Sequence, residues 1–166
     1  MAIQQESWKS VILGLSCGYR RVGNISMPGE SNKALARVVD KEQLLKPDLQ
    51  SILQWEIAEH VLRKPVLVIR EHRVKGKHLD SDEVIAQAME YAKKNSYWVI
   101  YLVTHPFLHR FLCKRLFKKM APDFWVKVVK TGWIPFDKES EQWHTRGPIR
   151  CLVYTVLRVL TGRKGR

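Results

Sequence analysis

Residues able to do chemistry cluster after the apolar runs of this chain. Gly14, Ser16, Cys17 and Gly18 follow the run 10–15 (SVILGL). Glu71, His72 and Arg73 follow 65–69 (PVLVI). Thr104, His105 and Pro106 follow 97–103 (YWVIYLV), with His109 and Arg110 a turn further on. Lys130, Thr131 and Gly132 follow 124–129 (FWVKVV), and Asp137 comes later. A carboxylate near an imidazole can move a proton, so Glu71 with His105 or His109 is the acid/base candidate. A helix starting at Pro106 offers free N–H groups to an anion, and Arg110 adds a charge-assisted donor. His105 and His109 at i,i+4 could hold a metal on one helix face. No HExxH and no third ligand accompany them, so no metal is expected.

These residues need elements to position them. The runs 10–15, 65–69, 97–103 and 124–129 are short, continuous and apolar, as buried strands are. Helical spacing covers 31–45, 48–62, 81–94, 106–120 and 148–160. Ser31 could cap the first of these, and Asp80 or Ser81 the third. Pro106 and Pro148 suit first-turn positions. In the helix 48–62 the carboxylate of Glu56 falls inside the apolar stripe, which points it into a cleft near Gln54. The order is β–α–α–β–α–β–α–β–α. It predicts an α/β fold: three Rossmann-like layers, with a mostly parallel sheet of about four strands and helices on both faces. In such sheets ligands bind outside the carboxyl ends of the strands, where the polar residues above collect. The strand starts offer only Lys9, Lys64, Ser96 and Asp123.

Length and composition narrow the class. The chain has 166 residues, 45% hydrophobic and 27% charged, which suits one domain over 1–166. Sixteen aromatic residues exclude disorder as the main state. Three scattered cysteines make no CxxC pair, so neither a zinc ribbon nor a redox pair is expected. No run approaches the length of a membrane span, and residues 1–10 lack an export pattern. A cytoplasmic protein is expected. Lys and Arg number 29 against 16 Asp and Glu, a net charge of +13. The basic residues are spread through Arg20, Arg21, Arg70, Arg73, Lys75, Lys77, residues 114–119 and a basic tail at 161–166.

Several motifs resemble the YdcF/SanA-like family, which includes the vancomycin high-temperature exclusion protein. Leu13-Gly14 matches a Leu-Gly after the first strand. Ser31, Asn32, Ala34 and Leu35 stand where the family has a small residue and an Arg before an Ala-Leu helix. Glu56 and Glu71 match two acidic positions, and Ser81 and Glu83 fit a T-x-E-N-A helix start. V-T-H-P-F-L-H-R is similar to the family's VTS…H…R segment, through Val103, Thr104, His109 and Arg110, with His105 replacing Ser. Pro135-Phe136-Asp137 is similar to a P-x-D element. The family's further strand between its first two helices has no counterpart in the sequence.

The resemblance implies a Rossmann-like cleft and a small polar ligand, such as S-adenosylmethionine. It also implies an association with cell-envelope physiology. Residue by residue, it places Gly14, Asn32, Glu56, Glu71, Ser81, Glu83, Thr104, His105, His109, Arg110 and Asp137 around that ligand. The expected function is binding of a small anionic or adenosyl-containing ligand, S-adenosylmethionine or a nucleotide, with transferase or hydrolase chemistry left open. The alternative is a non-enzymatic basic module that binds an anionic membrane surface through the final helix, or a nucleic acid. No nucleic-acid-binding motif accompanies the charge.

Overall fold

A computed structural model describes residues 8–107 and 109–161, with backbone alone for 109–112, 114 and 158–161. Five parallel strands form one sheet: β1 (Lys9–Gly14), β4 (Gln50–Gln54), β5 (Leu67–Ile69), β6 (Tyr97–Val103) and β7 (Trp125–Val128), in the order β5-β4-β1-β6-β7. From β1 the chain steps outward to β4 and β5, then crosses back to β6 and β7. The direction of winding therefore switches between β1 and β6, as in doubly wound folds.

The pleat divides the core into two layers. On one side Val11, Leu13, Ile52, Ile100 and Leu102 meet Val84, Ile85 and Ala88 of α3 (Ser81–Lys94) and Cys113 and Phe117 of α4 (His109–Met120). On the other side Ile12, Leu53 and Val103 meet Leu35, Ala36 and Val39 of α1 (Glu30–Leu45), Ile57 of the single-turn α2 (Trp55–Ala58) and Cys151 of α5 (Pro148–Thr161). This is the expected α/β sandwich, with five strands rather than about four.

The extra strand corrects the helix expected over 48–62. Leu49, Ile52, Leu53 and Ile57 have helical spacing, yet Ile52 and Leu53 face opposite core layers. Only a strand, whose side chains alternate, can do that. Ser51 to Gln54 are all buried because β4 lies between β1 and β5. A second departure is an antiparallel hairpin, β2 (Tyr19–Val22) with β3 (Ile25–Pro28), in the β1-to-α1 connection. Its two-residue loop uses Gly23 at φ +59°, which glycine adopts without strain.

Two helix starts also move. α4 begins at His109, with Pro106 and Phe107 in a turn, so His105 is not on that helix and does not share a face with His109. α1 begins at Glu30 after Gly29, and Ser31 lies inside it, donating to the Pro135 carbonyl at 2.6 Å. No helix among the described residues is long and apolar enough to cross a membrane.

Candidate functional site

The carboxyl ends of β1, β4 and β5 open into a cleft of about 370 Å³. Its floor is Ser16 after β1 and Gln54, Trp55 and Glu56 at the end of β4. Arg70, Glu71 and His72 after β5 form one wall, continued by Lys75 to Leu79. Tyr19, Arg21 and Ser26 of the hairpin, with Gln142, form the other. The volume suits a small molecule.

The floor is built by backbone-to-side-chain bonds. The Ser16 N–H donates to Gln54 Oε1 at 3.1 Å, and Gln54 Nε2 donates to Glu56 Oε1 at 3.4 Å. Glu56 is 4% exposed, and its Oε2 has no hydrogen-bond partner among the described residues. Burial pushes its carboxyl up to about 7, against the opposing pull of its own backbone N–H, Ser16 and Gln54. A carboxyl raised toward neutrality can both give and take a proton there, which suits proton transfer.

The walls are cationic. Arg21, Arg70, Lys75 and Lys77 face the cleft against Glu56 and Glu71. Arg70 pairs with Glu59 at 3.2 Å. Arg21, Lys75 and Lys77 have no ion pair among the described residues. His72 accepts from the Val74 N–H at Nδ1, and His78 Nε2 lies 3.3 Å from Gln142 Nε2.

Of the residues expected at the site, Glu56 and Glu71 line this cleft together. Glu83 stands behind the wall: it accepts from Arg73 Nε at 2.6 Å and Gln87 Nε2 at 2.8 Å, and the Arg73 bond holds its carboxyl down at about 2. It fixes the loop that carries Glu71 and His72. Ser81 opens α3, but Asp80 caps it, accepting from the Glu83 N–H at 2.9 Å.

The other residues lie elsewhere. Gly14 is a packing position, since a Cβ there would stand 2.7 Å from Leu53 Cδ2. Buried Asn32 accepts from the Cys17 N–H at 2.8 Å and donates to the Gly18 carbonyl at 2.7 Å, so it clamps the loop after β1. Thr104 and His105 are buried and do not line the cleft. The His105 ring lies 4.6 Å from that of Phe136, and burial lowers its pKa to about 4, so it is neutral. His109 and Arg110 open α4, and their side chains lie outside the described residues.

Asp137 occupies the most telling position. It accepts from the Glu30 N–H at the start of α1 and from Arg20 Nε at 2.8 Å. A dinucleotide fold places its ligand's pyrophosphate at that helix start. Here the protein's own carboxylate fills the place, and the open volume lies beside β4 and β5 instead.

Tyr19 follows the first strand, as the polar residues of the site were expected to, but Ser26, Trp55, His78 and Gln142 were not expected there, and Arg21, Lys75 and Lys77 read only as general basic surface. The hairpin carries Tyr19 and Ser26, and Gly23-Asn24 between Val22 and Ile25 is its sequence signal. No family model, curated protein or solved structure matches the chain.

Proposed function

We propose that the cleft binds a small phosphate-bearing ligand of the adenosine-nucleotide class, with Glu56 as the proton-carrying group for any transfer or hydrolysis there. The observation that carries this is the pairing of three unpaired cations, Arg21, Lys75 and Lys77, with a buried carboxyl at the floor of one cleft. Phosphate oxygens meet lysine and arginine through charge-assisted bonds. Tyr19, Trp55 and His78 offer planar faces for a base, and Gln54 and Glu71 offer partners for sugar hydroxyls. S-adenosylmethionine brings a sulfonium cation into the same field and is disfavoured. On this reading the chain is a divergent YdcF/SanA-like domain.

A thermal-shift panel of AMP, ADP, adenosine and S-adenosylmethionine tests the proposal. A ligand that binds only the folded state raises Tm by mass action. AMP and ADP should raise Tm by several degrees at millimolar concentration, and adenosine and S-adenosylmethionine by less. No shift with either phosphate sinks the proposal.

A further inference from the structure

Helix α5 packs on the body through buried Cys151 and half-buried Tyr154 and Thr155. The opposite side is apolar and faces out: Ile149 is 77% exposed, Leu152 64%, Val153 46%, Val156 47% and Leu157 50%. Their spacing of i, i+3, i+4, i+7 and i+8 places all five on one helical face. Trp143, 44% exposed, precedes this helix in sequence, and its ring lies 6.3 Å from that of Tyr154 midway along it. Arg150 lies exposed beside the stripe, and Arg163, Lys164 and Arg166 follow the helix in sequence.

We propose that α5 docks on an anionic lipid surface, lying in the plane of the interface with the stripe from Ile149 to Leu157 in the acyl boundary. A helix with an apolar outer face and basic flanks binds anionic bilayers in this way. Charge selects this occupant. Each copy carries +13, so two copies repel while an anionic surface attracts. A bilayer needs no complementary surface. This inference does not depend on the cleft and its ligand.

The test is co-sedimentation of the full chain with vesicles of phosphatidylglycerol and phosphatidylcholine, and with phosphatidylcholine alone. The protein should pellet with the anionic vesicles and stay largely in solution with the neutral ones. Leu152→Glu/Val156→Glu should weaken pelleting at least tenfold. These positions are exposed, so its circular dichroism should match the parent. Ile149→Gln should give a smaller loss. Failure of the parent to pellet with anionic vesicles overturns the proposal. So does undiminished pelleting of the double variant, which would make the attraction a general effect of charge. A dimer in solution that the same substitutions dissolve would assign the face to a second copy. Release from vesicles by an oligonucleotide that the double variant still binds would assign the charge to nucleic acid.

Discussion

Arg20 and Asp137, 117 residues apart, meet in a two-pronged ion pair beside Gly29, with Nε to Oδ2 and Nη2 to Oδ1 both at 2.8 Å. A Cβ on Gly29 would collide with Asp137 Oδ2. One carboxylate therefore caps α1, ties the hairpin to the C-terminal half and closes the phosphate place of a dinucleotide fold.

Asp137→Asn should cost about 2 kcal/mol. The figure is below the 3–5 kcal/mol of a fully buried pair because Arg20 keeps 29% exposure. Urea denaturation measures it, and a loss under about 0.5 kcal/mol would contradict the capping role. Burial opposes the Asp137 charge, but Arg20 and the N–H groups of Glu139 and Glu30 outweigh it and hold the carboxyl below its ordinary 3.8. The contribution is therefore full above pH 3.8 and lost as pH falls below it. The hairpin wall of the cleft should loosen as well, since Arg20 stands between Tyr19 and Arg21, which line it.

Glu56 gives the opposite slope. Its carboxyl rises from 4.5 to about 7 on folding, so between these values the folded state holds more protons than the unfolded. Stability should then fall as pH rises from 4.5 to about 7. Glu56→Gln should remove that slope and stabilise the protein at pH 8, by on the order of 3 kcal/mol. Chemical denaturation at pH 5 and pH 8 checks it, and a variant no more stable than the parent at pH 8 would contradict the buried carboxyl.

His105 falls from 6.5 to about 4 on folding, because burial disfavours its charge. The unfolded state binds more protons between these values, so stability should drop as pH falls from 6.5 toward 4. His105→Phe keeps a ring beside Phe136 and should abolish that acid sensitivity. The slopes of Glu56 and His105 oppose each other between pH 4.5 and 6.5. The parent should be flatter there than either single variant. An unaltered Tm profile in His105→Phe would contradict a neutral buried imidazole.

Arg73→Ala should loosen the wall of the cleft. Arg73 holds Glu83 from its side chain and its backbone N–H, and bridges to Glu90 at 3.1 Å. Amide exchange over 71–79 should quicken, and AMP should bind roughly threefold to tenfold more weakly with the fold intact. Unchanged exchange would show that the loop is held by other contacts.

The fold was legible where one signal dominated. The strand 97–103 and the helix 81–94 stand where the sequence places them, since their apolar patterns fit one period only. β4 was hidden because Leu49, Ile52, Leu53 and Ile57 satisfy a helical period by chance, and five strand residues are too few to outvote it. Glu56 stood out as a carboxylate inside an apolar stripe; it sits in the first turn of α2, directly after β4, so the sheet edge and not a long helix brings it to the cleft. His105 looked like a site residue because it follows a strand. A buried imidazole against Phe136 is a tertiary fact that no local pattern shows.

If Arg21, Lys75 and Lys77 hold a phosphate in the cleft they line, removing two of these cations should remove most of the attraction. Isothermal titration calorimetry of AMP into the parent and into Lys75→Ser/Lys77→Ser tests it most directly. The parent should bind AMP saturably and one-to-one, with affinity at least tenfold lower in the double variant and reduced by raised salt. Equal affinity in both proteins, or no heat from the parent at millimolar AMP, would contradict it.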